Sequence, residues 1–247
     1  SLSVRDKETL TSLNVSGCTG MTELYVNSDA NLAAIDLSGC TALTRVNINY
    51  MAAVTTIDLS GATELTELNA YGNPSLESIT LTGLEKLESL QAYNDNLKSI
   101  DLTGLKALKY VGVYGNAQLA SLNVSGLELL EQLYCDGTAI ETLDVSGLTN
   151  LNTINAFNNE HLKTIDAAGC TALSNIGGIT NYWYGEQEVY TGLTTLNLSG
   201  TAVTYINFNT MPVLENIDLS NTTFSSFILY DRATLKSINL SNCANLT

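Results

Sequence analysis

Residues 54–73 read Val54-Thr-Thr-Ile57-Asp58-Leu59-Ser60-Gly61-Ala62-Thr-Glu-Leu65-Thr-Glu-Leu68-Asn69-Ala70-Tyr71-Gly72-Asn73. They contain two half-units, Leu-x-x-Leu-Asn/Asp-Leu/Val-Ser-Gly and Leu-x-x-Leu-x-Ala/Val. In each, the fourth and sixth positions are apolar while the third, fifth and seventh are mostly polar. That is the period-2 alternation of a strand with one face buried.

Outward from this stretch the same unit recurs along the whole chain. The first half-unit begins at Leu10, Leu32, Val54, Leu76, Leu97, Leu119, Ile140, Leu162, Leu193, Leu214 and Leu235, so every spacing is 21 or 22 residues except one of 31. The second begins at Met21, Leu43, Leu65, Leu87, Leu108, Leu130, Leu151, Leu173, Val203 and Phe224, with a partial copy at Leu246. Such a coil has no room for a full helix beside two strands and two turns. Each segment must therefore pair with its counterpart in the next coil, in parallel ladders spaced by about 4.8 Å. The expected architecture is a single domain over residues 1–247, a solenoid of about 11 coils.

The turns agree. Gly17, Gly39, Gly61, Gly83, Gly104, Gly126, Gly147, Gly169 and Gly200 form one column, continued by Asn221 and Asn242, which predicts a left-handed backbone at that position. The two prolines, Pro74 and Pro212, share one place in the other turn, where no ladder donor is needed.

Segments such as Leu65-Thr-Glu-Leu68-Asn-Ala70-Tyr-Gly-Asn73 and Leu32-Ala-Ala-Ile35-Asp-Leu37-Ser-Gly-Cys40 resemble the leucine-rich repeat consensus Leu-x-x-Leu-x-Leu-x-x-Asn/Cys. The short coil with two half-units is similar to bacterial surface repeats of the internalin type. The resemblance implies a right-handed superhelix with two parallel β-ladders and little or no helix, on an extracellular or cell-surface bacterial protein that binds without chemistry. The ninth position of the second motif is Asn at Asn73, Asn116 and Asn159 but Asp95, Thr138 and Met211 elsewhere.

A formal charge of −15 argues against a nucleic-acid partner, since phosphate binding relies on clustered Lys and Arg. It equally disfavours anionic membranes and anionic glycans. With 45% hydrophobic and 14% charged residues the chain has the material for a large core. No apolar run approaches the roughly 20 residues of a membrane span, so no membrane insertion by this segment is expected.

Read as columns, the fifth position of the first motif is nearly all Asp or Asn, from Asn14, Asp36 and Asp58 to Asn239, which reads as a solvated polar ladder. A cation site is the competing reading, but a flat strand face offers fewer than the six to eight oxygens that calcium takes. Cys18, Cys40, Cys170 and Cys243 share one position and read as small core residues; Cys135 takes a core position of the second motif. The five sequons, at Asn14, Asn123, Asn197, Asn221 and Asn239, largely follow from the consensus itself. With one histidine and no Cys-x-x-Cys spacing, the chain offers no catalytic residue, no metal ligand and no cofactor site.

The seventh position of the second motif, directed outward, reads Tyr71, Tyr93, Tyr114, Asp136 and Phe157 in consecutive coils. These aromatics form a predicted stripe about 20 Å long. The 31-residue spacing contains the insertion 177–192, whose Tyr182, Trp183 and Tyr184 add aromatic surface. Tyr71, Tyr93, Tyr114, Phe157, Tyr182, Trp183 and Tyr184 are the candidate partner-binding residues. A protein ligand is the first expectation, carbohydrate recognition the alternative, and a structural spacer the third. The chain breaks off in mid-coil without a polar cap, so further residues or another chain are expected over that edge.

Overall fold

The computed structural model describes residues 1–7, 9–177, 190–225 and 233–246. It is a parallel β-solenoid of about ten turns. The described residues cluster into two compact units, Ser1–Leu122 and Asn123–Thr247.

In the first unit the second-motif strands Leu2–Arg5, Glu23–Asn27, Arg45–Asn49, Glu67–Asn69, Ser89–Gln91 and Tyr110–Gly112 pair in that order, all parallel. Their register matches motif position to motif position: Leu24 faces Val46, Val46 faces Leu68 and Leu68 faces Leu90. Sequence offsets of 21 and 22 residues have thus become physical adjacency. The first-motif strands form two short pairs, Ser12–Asn14 with Ala34–Asp36 and Thr56–Asp58 with Ser78–Thr80. The strand Leu2–Arg5 was not anticipated by the motif count, although Leu2 and Val4 alternate with polar neighbours as a strand requires.

In the second unit Gln132–Tyr134, Thr153–Asn155 and Asn175–Ile176 pair in one sheet. Thr142–Asp144, Thr164–Asp166, Thr195–Asn197, Asn216–Asp218 and Ser237–Asn239 pair in the other. The insertion does not disturb this ladder, because Thr164 still faces Thr195 across 31 residues. One short 3-10 helix, Phe208–Thr210, is the helical element among the described residues.

The apolar columns fill the interior: Leu24, Val46, Leu68, Leu90 and Val111 have no exposed surface. A fully buried residue of this size contributes about 1.5–3 kcal/mol of hydrophobic stabilisation. Cys40, Cys135 and Cys170 are buried as expected, and all five cysteines are free. The thiols of Cys40 and Cys170 donate to carbonyls of the preceding coil, those of Val15 and Val145, at 3.1 and 3.0 Å. Cys18 departs from the core reading and is exposed, because it is the first member of its column and no earlier thiol or leucine of that column covers it.

The glycine column adopts the left-handed backbone, with φ between 71° and 83° at Gly17, Gly39, Gly83, Gly104, Gly126, Gly147, Gly169 and Gly200 and 59° at Asn221 and Asn242. Gly61 is the exception and does not have a positive φ. The Asp/Asn column beside it does not chiefly bond from coil to coil. Each side chain closes its own turn: Oδ1 of Asp36, Asp58, Asp101 and Asp144 accepts from the backbone N–H two residues on, at 2.9–3.0 Å. This is an Asx turn, the arrangement for which short carboxylates and amides suit turns. Asn239 also bonds across coils, donating to Asp218 at 2.9 Å.

Candidate functional site

Two columns of the second-motif turn build the most distinctive surface of the first unit. The seventh position places Tyr71, Tyr93 and Tyr114 one above another. Their rings stack at centroid distances of 4.5 and 4.3 Å, with planes 3° and 10° apart. The cause lies in the backbone: the N–H groups of Tyr50, Gly72 and Asn94 donate to the carbonyls of Tyr71, Tyr93 and Tyr114 at 2.9–3.1 Å. These rungs hold successive tyrosines near the parallel-strand spacing, which is also the spacing of stacked rings.

The eighth position is left-handed throughout, at Ser28, Tyr50, Gly72, Asn94 and Gly115, with φ between 54° and 71°. Tyr50 is the anomaly. A bulky side chain at φ 58° is strained, by about 1–2 kcal/mol relative to an ordinary conformation. The residue is 59% exposed and its ring meets Tyr71 edge-on, with centroids 5.4 Å apart and planes at 89°. Gly72 makes room for it, since a Cβ there would lie 2.8 Å from the Tyr50 ring. Tyr50 therefore caps the stack that Tyr71 begins. Burial, followed by the neighbouring Tyr93 and Tyr50, raises the Tyr71 phenol above its usual range.

Below the rings runs the ninth position, a buried ladder of amides. Asn116 shows the full pattern: its Nδ2 donates to the carbonyls of Ala92 and Val113, both at 2.8 Å, and its Oδ1 accepts from Leu97 N at 3.0 Å. Asn73 donates to Ile48 and accepts from Met51 N at 3.0 and 2.9 Å. Asn159, in the second unit, donates to Cys135 and Ala156 at 3.0 and 3.1 Å. Asp95 sits in the same column without an amide to donate. Its Oδ1 accepts from Asn73 N at 2.7 Å, while Oδ2 is buried and has no hydrogen-bond partner. Burial raises its carboxyl to about 7 against the opposing bonds from Asn73. Asp29 repeats the geometry, with Oδ1 accepting from Lys7 N and Oδ2 unpartnered.

Beside the stack, Arg45 bridges adjacent strands, 2.8 Å from Glu67 and 3.8 Å from Glu23. Asn49 Oδ1 accepts from Tyr71 N at 3.1 Å, fixing the turn that carries the first stacked ring.

The structure thus brings together Tyr71, Tyr93 and Tyr114 and adds Tyr50, which inspection of the seventh column alone passes over. A tyrosine in a column that in the first unit is otherwise made of Gly, Asn and Ser was the available signal. Phe157 lies in the second unit, half-buried, where its carbonyl accepts from Gly137 N at 3.3 Å. Tyr182, Trp183 and Tyr184 lie outside the described residues. Tyr190, at the end of the insertion, is not surface but core: it is buried, and its hydroxyl donates to the carbonyl of Gly177 at 2.6 Å.

No protein-family model matches the chain, and no curated protein does. Among solved structures, it is similar to the functional domain of InlJ from Listeria monocytogenes, which includes a cysteine ladder, at 20% identity over 93% of this chain and 67% of that one, TM-score 0.37. The leucine-rich effector protein YopM of Yersinia pestis is 19% identical over 94% of this chain and 72% of that one, TM-score 0.49. The leucine-rich repeat protein LIC12759 of Leptospira interrogans is 15% identical over 97% and 89%, TM-score 0.44.

Proposed function

We propose that the chain is a non-catalytic binding module of a secreted or cell-surface bacterial protein, which recognises a protein partner through the face carrying Tyr50, Tyr71, Tyr93 and Tyr114. The observation that carries this reading is the stack itself. Four aromatic side chains are held by backbone rungs and by one another on a solvent-facing turn, so little side-chain freedom remains to be lost on binding. Tyrosines of this kind are the residues that dominate protein interfaces.

The geometry favours protein over sugar. Sugar rings bind aromatic faces, whereas the faces of Tyr71 and Tyr93 lie against each other at 4.5 Å. What the stack offers outward is ring edges and hydroxyls, which suit peptide groups and side chains of a partner. Phe157, Tyr182, Trp183 and Tyr184 enter the proposal as further contacts on their chemistry alone.

The test is a comparison of the wild-type chain with a Tyr71→Ala, Tyr93→Ala, Tyr114→Ala triple variant. Both should show the same β-rich circular dichroism, while a partner identified by cross-linking and then purified binds only the wild type in calorimetry. Equal binding by the two proteins dismisses the tyrosine face. A glycan array that retains the wild type but not the variant transfers the face to carbohydrate recognition.

A further inference from the structure

In the ladder under the three stacked tyrosines, Asp95 places a carboxyl whose second oxygen has no hydrogen-bond partner. In the repeat, Asn116 and Asn159 each place Nδ2 between two carbonyls, that of the sixth-position residue in the same coil and that in the preceding coil. The equivalent carbonyls for Asp95 are those of Ala92 and Ala70. By the pattern of Asn116 and Asn159, an oxygen in the place of Nδ2 would meet these acceptors and be bonded to them only if it bore a proton; in Asp95 that second oxygen is buried and has no hydrogen-bond partner. The other oxygen already accepts from Asn73 N, in the turn that follows Tyr71, while Asp95 itself closes the turn that follows Tyr93. One side chain therefore ties together the two turns whose rings stack with planes 3° apart.

We propose that Asp95 is a proton-operated clamp on the tyrosine stack: protonated, its carboxyl completes the side-chain ladder between the turns of Tyr71 and Tyr93; ionised, it sets a charge against backbone carbonyls and loosens both turns. The inference rests on the recognition reading only for its use, which is regulation of that same face. The groups that face the carboxyl are the backbone N–H and side-chain amide of Asn73. The titratable side chains on the flanking turns are the phenols of Tyr71 and Tyr93. Lys98, three residues on, pairs with Glu77 at 2.7 Å, and among the described residues no Lys, Arg or His pairs with Asp95. Burial raises the carboxyl to about 7 from an ordinary 3.8, so the switch falls close to neutrality.

The sign follows from linkage. The folded state holds this proton more tightly than the unfolded chain, so the stabilisation is complete below the unfolded value of 3.8, declines as pH rises, and is lost above about 7.

The experiment uses the free chain. The side-chain carboxyl carbon of Asp95 is followed by NMR from pH 4 to 9, beside near-UV circular dichroism of the tyrosines and thermal melting, for the wild type and for Asp95→Asn. Asp95 should titrate near 7, and the tyrosine signal of the wild type should fall with the same midpoint. Asp95→Asn, which restores the amide of Asn73 and Asn116, should keep that signal at all pH values. Its melting temperature should exceed the wild type's by roughly 5 °C or more at pH 8, with the gap opening between about pH 4 and 7. A carboxyl that titrates near 4, or a wild-type tyrosine signal that stays flat between pH 5 and 8, overturns the clamp. Neither result depends on a partner, so loss of partner binding by the tyrosine triple variant would leave the clamp standing, and the converse holds.

Discussion

Aspartate occupies the two turns of this coil to opposite effect. In the turn after the first motif, Asp36, Asp101 and Asp144 face solvent and accept hydrogen bonds from the turn that follows them. The backbone and side chain of Ser38, Thr103 and Ser146 hold these carboxyls below their ordinary range. In the turn after the second motif, Asp95 is buried in a column of amides and its carboxyl is pushed up. The difference teaches that solvent and donor count decide the outcome, not residue type. An exposed turn supplies donors and leaves the second oxygen to water, whereas the inner turn buries the second oxygen without a hydrogen-bond partner. Acid therefore acts on the columns in opposite senses: stability from Asp36, Asp101 and Asp144 is present above the unfolded value of 3.8 and is lost as pH falls through their lowered folded values, while that from Asp95 is gained.

The sharpest way to break the contrast is to remove a ladder amide. Asn116→Ala leaves Leu97 N and the carbonyls of Ala92 and Val113 unpaired, and at about 1–3 kcal/mol for each buried group it should lower the melting temperature by roughly 10 °C. A smaller change transplants the Asp95 geometry into the second unit. Asn159→Asp sets an oxygen against the carbonyls of Cys135 and Ala156, and melting should fall by several degrees at pH 8 and by much less at pH 4. A uniform loss at both pH values would deny that ionisation is the cause. In the outer column, Asp36→Asn keeps the Asx acceptor and should melt within about 1 °C of the wild type, whereas Asp36→Ala should lose roughly 1–2 °C at pH 7. Smallest of all, Tyr50→Gly relieves left-handed strain but loses an edge-on ring contact. These effects are each about 1 kcal/mol and should nearly cancel in calorimetric melting, while the near-UV signal of the tyrosines changes.

The solenoid was legible in the sequence because stacking converts a 21- or 22-residue period directly into neighbours. Leu68 faces Leu90 for the same reason that Tyr71 lies on Tyr93. The outward direction of the seventh column was legible too, from alternation alone. Side-chain bonding partners were harder to read. The Asp/Asn column suggested rungs between coils, yet its members close their own turns, since a donor two residues on lies nearer than the next coil. Tyr50 and Asp95 were visible only as exceptions to their columns. A column position states what backbone and burial demand, and recognising the cost of breaking that demand required the φ value of Tyr50 and the unpartnered Oδ2 of Asp95. Tyr190 escaped for a related reason. Counted within an aromatic insertion, it in fact takes the inner position that precedes Leu193, as Asn159 precedes Leu162.

The hydroxyl of Tyr190 on the carbonyl of Gly177 joins two residues 13 positions apart in sequence. Thr164 still lies opposite Thr195, and closing a flexible loop costs entropy that grows by only about 0.6 kcal/mol per doubling of its length. A parallel ladder thus tolerates a sequence offset of 31 in place of 21 or 22 where the strands on either side keep their pairing, since register depends on which strands meet and not on the length of chain that joins them.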